Sequence, residues 1–297
     1  MKKNVLALTC ATLGLLSLSA HAAEGGVSVF PHGAENYMAS AVPPPGMYGL
    51  LYGNVYRADE LRDHNGDRVA MPPDFKVDAN VLVARGLWTT NQKVLGGDLA
   101  FHAIVPLVDL TVRAGGRKES KTGIGDITVG AGVGFHHSEK LHSVALVDVI
   151  MPTGSYDKDR MANIGKNRWA TDLAYGVTYV DPTGFNGDIK FGYTINRKNP
   201  DTNYKSGDEF HFDYAAGWGL GNGWTVGVGG YYLKQLESDK QNGVTLANSK
   251  MSALAIGPSI KYDSGKGWFG TLKWEKEVEA ENRTKGDSVW LKAVFPL

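Results

Sequence analysis

Residues 168–179 read Arg168-Trp169-Ala170-Thr171-Asp172-Leu173-Ala174-Tyr175-Gly176-Val177-Thr178-Tyr179. In an extended chain, Trp169, Leu173, Tyr175, Val177 and Tyr179 share one side with Thr171. Ala170, Asp172, Ala174, Gly176 and Thr178 share the other. Period-two alternation marks a strand with two unlike faces. The pattern returns in 185–196, where Phe185, Ile189, Phe191, Tyr193 and Ile195 oppose Asn186, Asp188, Lys190, Thr194 and Asn196. It returns again in 209–220, with Phe210, Phe212, Tyr214 and Trp218 against Glu209, His211, Asp213 and Gly217. Such strands are longer than the usual globular length of about five or six residues. They have the length a tilted strand needs to cross a bilayer. The expected fold is all-β: a transmembrane antiparallel up-and-down β-barrel.

The start of the chain agrees. Lys2 and Lys3 precede an apolar run from about Val5 to Leu18, closed by Ala20-His21-Ala22. That combination predicts a secretory signal peptide over 1–22, too short an apolar run to span a membrane. The one cysteine, Cys10, lies inside it, so the exported chain would carry neither thiol nor disulfide. Of 31 Lys and Arg, two fall in that segment and none of the 31 acids does, leaving 29 basic and 31 acidic side chains. This near-balance offers no footprint for nucleic acid. A mean hydropathy of −0.23 resembles that of a soluble protein. In a barrel the lipid-facing and lumen-facing residues cancel in any window, so the value is compatible with membrane insertion.

Alternation places twelve strands near 46–56, 75–88, 94–107, 124–135, 141–151, 168–180, 185–196, 209–220, 224–236, 250–262, 267–278 and 287–297. Short turns (89–93, 136–140, 181–184, 221–223, 263–266) alternate with longer polar loops (57–74, 108–123, 152–167, 197–208, 237–249, 279–286). An antiparallel meander with tight periplasmic turns and longer external loops produces that alternation. The 108–123 loop has room for further strand. Residues 23–45 end in Pro43-Pro44-Pro45, which cannot donate ladder hydrogen bonds. They are either a periplasmic leader or a plug in the lumen, and 46–297 is the barrel. The final strand alternates through Val289, Leu291, Ala293 and Phe295, resembling the carboxyl-terminal signal read by barrel-assembly machinery.

Putting every apolar face outward assigns the polar faces to the lumen. Lys76, Asp78 and Asn80 come from the second strand, Asp98 and His102 from the third, then Asp126 and Asp148. Asp172, Asp188 and Lys190 follow, then Glu209, His211 and Asp213, and finally Lys273, Glu275, Glu277 and Lys292. Lipid exposure would cost about 2–4 kcal/mol for a Lys or Arg at the midplane. Gly130, Gly132 and Gly134 share one inward face, and Gly217, Gly219, Gly227 and Gly229 bare another. Glycine weakens a strand unless the wall must bend or something must approach closely. Tyr and Trp near strand ends, among them Trp88, Trp169, Trp218, Trp224 and Trp268, read as interface girdles.

Catalytic chemistry is thin. His136, His137, Ser138 and His142 share a short turn without an identifiable orienting acid. Asp63-His64-Asn65-Gly66-Asp67 has the alternating oxygens of a calcium loop, but the glycine comes too early for one. The sequence calls for no metal and no cofactor.

Several segments resemble the outer membrane proteins associated with the phenol meta-cleavage pathway. They are Thr122–Gly130, Pro152–Tyr156 leading to Asn163–Trp169, Tyr231–Asp239 and Gly257–Tyr262. The resemblance implies a barrel in the outer membrane of a Gram-negative bacterium that passes hydrophobic aromatic compounds inward, and it carries no catalytic residues. The expected function is therefore a non-enzymatic channel for passive uptake of small hydrophobic or aromatic compounds. Its partners would be outer membrane lipids, the solute and the assembly machinery. Two alternatives stand beside it: a lipid-modifying barrel enzyme, and a structural or adhesive barrel with a sealed lumen.

Overall fold

The computed structural model describes residues 23–297; the expected signal peptide and Cys10 lie outside the described residues. After one helical turn, α1 (Ala23–Gly26), the chain runs in irregular structure to β1 (Gly46–Leu61). Then follow β2 (Lys76–Val94), β3 (Gly97–Ala114), β4 (Arg117–Ile124), β5 (Ile127–His136), β6 (Leu141–Met151), β7 (Ala170–Tyr179) and β8 (Phe185–Asn196). The two-residue ladders β9 (Lys198–Asn199) and β10 (Tyr204–Lys205) precede β11 (Glu209–Gly219) and β12 (Trp224–Gln235). Two more, β13 (Lys240–Gln241) and β14 (Val244–Thr245), precede β15 (Ser252–Asp263), β16 (Phe269–Glu281) and β17 (Thr284–Pro296).

The long strands pair antiparallel around a ring, from β1 through β17, β16, β15, β12, β11, β8, β7, β6 and β5 to β3, and β2 closes it between β3 and β1. β5 pairs with the inner half of β3 and β4 with its outer half, so the two form one interrupted wall strand and the wall has twelve. Closure leaves no edge within the membrane, where an unpaired backbone group has no water to bond.

The outer face carries the belt. Leu82, Phe101, Leu173, Tyr175, Phe191, Leu272 and Leu291 are between 37% and 56% exposed, all on the outside. Trp88, Trp169, Trp218, Trp224 and Trp268 are exposed near strand ends, where an indole meets both headgroup and hydrocarbon. The inward partners of these residues include Asp172 and Lys190, which are buried.

Two expected loops are strand instead. Residues 108–123 are the outer halves of β3 and β4, joined at Gly115-Gly116 with φ of 60° and 76°. Primed hairpin turns demand that left-handed backbone at both central positions. The expected 279–286 loop shrinks to Asn282-Arg283 between β16 and β17. The turn expected at 89–93 lies within β2, and the reversal comes at Leu95-Gly96.

Candidate functional site

The interior is divided between a charged lower lumen and an apolar upper cavity. Asp98, His102, Asp148, Asp172, Lys273 and Glu275 are buried. Asp98 is buried at the inner mouth against Lys93, 2.6 Å away. His102 Nε2 and Asp148 Oδ1 share a 2.6 Å hydrogen bond. His211 Nε2 lies 3.0 Å from Asp172, which also accepts Thr194 Oγ1 at 2.7 Å. Lys273 sits 3.0 Å from Glu275, both 1% exposed. Asp126 lies at the break between β4 and β5, accepting backbone N–H groups from Gly154 and Lys166 at 2.9 and 2.8 Å. It therefore ties down the 152–169 loop.

Lys76 and Asp78 are corrected: both point outward, as does Asn80. Arg57, Lys76 and Arg113 surround Asp78 at 3.3, 3.4 and 2.8 Å on the outer surface. Asn80 and Thr122 both donate to Asp109, at 3.3 and 2.7 Å. The inward side of the same strands is Val77, Ala79, Val81 and Val83 on β2, with Ile104, Pro106, Val108, Leu110 and Val112 on β3. Polarity has inverted because this part of the wall stands above the bilayer. There water contacts the outside, so the polar face turns out and the apolar face turns in.

The apolar residues line a cavity of about 1540 Å³. Its floor is the chain's own N-terminal segment, where Val27 is 43% exposed beside Phe30 and Pro31. Arg85, His102, Lys190 and Glu275 border the cavity where it meets the charged lumen, and Lys166 and Arg168 border it on the loop side. Burial and the nearby Arg168 guanidinium push the Lys166 ammonium down to about 8, against Asp126 and Glu24.

Residues 28–42 thread the lumen below that floor. Gly33 and Glu35 donate their N–H groups to Asp213, both at 2.9 Å. Met38 and Ala39 donate to Asp188 at 3.0 and 2.9 Å, with Met38 held at a φ of 63°. Ser40 N–H bonds Thr178 Oγ1 at 3.0 Å, and Ser28 Oγ donates to Glu209. The Glu35 carboxylate lies 3.2 Å from Arg85, 3.6 Å from Lys190 and 3.3 Å from Lys292. The bare glycines receive this segment. A Cβ at Gly217 or Gly227 would strike the Tyr37 hydroxyl, one at Gly134 would strike Val42, and one at Gly176 would strike Ser40.

The wall is interrupted on one side. β4 pairs with β3, and its other edge has no strand partner among the described residues. The 152–169 loop covers that edge: Met161 N–H bonds Glu119 Oε2 at 2.8 Å, and Ile164 packs against Gly123.

Elsewhere the chemistry is local. His137 Nε2 lies 2.7 Å from Ser143 Oγ at the inner end of the wall, and His136 and His142 bond each other at 2.7 Å. Asp63 Oδ1 accepts the N–H groups of Asn65 and Asp67, both at 2.9 Å, which makes 63–67 a self-bonded turn.

Residues 58–293 match the family model described as "Putative MetA-pathway of phenol degradation". The chain belongs to this family. The crystal structure of the COG4313 outer membrane channel from Pseudomonas putida F1 superposes with a TM-score of 0.77 at 19% identity. The match covers 87% of this chain and 97% of that one. The CymD monoaromatic hydrocarbon channel gives a TM-score of 0.42 at 10% identity, over 85% of this chain and 89% of that one. Among curated proteins none matches the sequence. The fold, a closed antiparallel barrel with an apolar belt, is that of a Gram-negative outer membrane protein.

Proposed function

We propose that this family member is a channel for passive uptake of small hydrophobic or aromatic compounds, working as a transporter and not as an enzyme. The observation that carries the reading is the inverted extension, which holds an apolar cavity above the membrane where a solute arrives from water. A small arene of roughly 150 Å² gains about 3–4 kcal/mol on leaving water for such a wall. That corresponds to millimolar binding, weak enough to release quickly. The family's association with phenol degradation agrees with an aromatic cargo.

Residues 23–45 act in this reading as a plug. Their backbone is gripped by Asp213 and Asp188, and Glu35 is the latch among three cations. Planar-bilayer recording tests it. Deleting 28–42 is expected to raise ion conductance several-fold, and Glu35→Gln to raise it less. Unchanged conductance in both would remove the plug from the account. Flux of toluene into liposomes tests the channel itself: no flux above empty liposomes would overturn it.

The unpaired edge of β4 favours one route for solute entry, sideways from the water between β4 and the 152–169 loop. A Gly123→Cys, Ile164→Cys disulfide would seal that gap. Toluene flux is expected to fall on oxidation and recover on reduction, with ion conductance unchanged. If flux stayed constant on oxidation, entry would not use this gap.

A further inference from the structure

The 152–169 loop is built as a lobe on a narrow neck. Asp126 pins both of its ends by accepting the Gly154 and Lys166 N–H groups, and Gly165 N–H bonds the Ser155 carbonyl at 3.0 Å. A Cβ placed at Gly154 would sit 2.6 Å from Gly165 Cα, so the two arms meet backbone to backbone. Beyond the neck, residues 155–164 bond to themselves. Asn163 Oδ1 accepts the Asp157 N–H at 2.8 Å, and its Nδ2 donates to the Asp157 and Arg160 carbonyls at 2.9 and 3.1 Å. A surface loop with close ends and its own internal packing is carried as one body on its neck.

Two parts of the channel depend on this lobe. Met161 and Ile164 cover the β4 edge, while Tyr156 reaches the plug and donates its hydroxyl to Glu24 Oε1 at 3.0 Å. Burial and the Glu24 carboxylate push the Tyr156 phenol up to about 12, so it remains a donor at neutral pH. The other Glu24 oxygen is held from outside the lobe by Asn199 Nδ2 at 2.7 Å, and Asn199 in turn accepts from Asn167 at 2.9 Å. Tyr156, Met161 and Ile164 all border the cavity, so a solute there lies against the inner side of the lobe. A solute entering at the β4 edge must lift the lobe, and a lifted lobe takes the Tyr156 hydroxyl away from Glu24. We propose that Tyr156 couples the two openings of the channel: displacing the 155–164 lobe at the β4 edge loosens the outer end of the plug. The inference rests on the channel and plug readings and adds how entry at the side opens the lumen. Tyr156 is a positioning residue, because it acts on the lumen through Glu24.

Planar-bilayer recording of the full mature protein, with toluene added on the side of the outer loops, tests it. Toluene is expected to raise ion conductance several-fold. Tyr156→Phe should raise conductance about threefold before toluene is added, the population shift of one modest hydrogen bond, and should blunt the later rise. In Gly123→Cys, Ile164→Cys protein, closing the disulfide should change nothing while toluene is absent, because the lobe is already down. With toluene present it should abolish the rise. A rise that survives oxidation, or Tyr156→Phe matching the wild type before and after toluene, would overturn the coupling. Tyr156→Phe removes a single hydroxyl and decides the matter if the double-cysteine variant does not fold. Failures of the readings beneath it look different: absent toluene flux in liposomes defeats the channel, and unchanged conductance after deleting 28–42 defeats the plug. Normal flux and a gain on deletion, without a toluene-dependent rise in the wild type, defeat only the coupling.

Discussion

At the level of Leu173 and Tyr175 the barrel is greasy outside and charged inside; at the level of Asp78 and Asn80 it is charged outside and greasy inside. The backbone is the same antiparallel ladder in both places, and only the medium beyond the wall differs. Lipid against the outer face forces carboxylates and ammoniums inward, where they pair with each other and with the N-terminal segment. Water against the outer face allows Arg57, Arg113 and Asp78 to sit outside and releases the inner face for valines. A strand's two faces therefore do not say which is inside until its height relative to the bilayer is known.

Charge placement separates the two levels most sharply. Leu173→Arg puts a cation into hydrocarbon and is expected to destabilise the barrel by about 2–4 kcal/mol. Asn80→Arg, on an outer face already in water, should change stability by less than about 0.5 kcal/mol. Guanidinium unfolding in lipid vesicles measures both, and equal losses would erase the distinction. On the inner face the order reverses. Val81→Asp and Val108→Asp, each an unpaired charge in the apolar cavity, should lower toluene flux by about tenfold or more. Asp172→Asn, deep in the charged lumen, should leave toluene capture nearly unaltered. Gly217→Val tests the packing of the lower lumen against Tyr37. It should destabilise the barrel by about 1–3 kcal/mol as an overpacked site, and raise conductance by unseating the segment. The smallest effect is expected from Asp109→Asn on the outer surface, within about 0.5 kcal/mol, because exposed polar pairs contribute little.

The strands from β5 to β17 were legible because period-two alternation repeats there with aromatics near their ends, although Val144, Leu146, Leu233 and Trp290 turn inward beside the polar residues. Lys76 and Asp78 were misplaced by that same rule, since nothing in their alternation records that β2 has left the bilayer. The hairpin at 108–123 looked like a loop because Arg113, Arg117, Lys118, Glu119 and Lys121 are charged. Its signal was nevertheless present in Gly115-Gly116, flanked by Leu110 and Val112 alternating with Thr111 and Arg113. Glu35 could not be found from sequence: its partners Arg85, Lys190 and Lys292 are spread over more than two hundred positions and meet only when the ring closes. Arg168 escaped for a different reason. It opens the strand whose pattern reveals the fold, and the alternation of that strand assigns no role to the residue at its start.

Single cysteines can be introduced cleanly, because the described residues contain none. The direct test compares Val81→Cys with Asn80→Cys, neighbours on opposite faces of β2, by labelling with a membrane-impermeant maleimide while toluene is added. Position 80 should react at a rate indifferent to toluene, and position 81 should be progressively shielded as the cavity fills. Shielding of position 80, or equal reaction of both at every toluene concentration, would contradict an apolar interior held above the membrane.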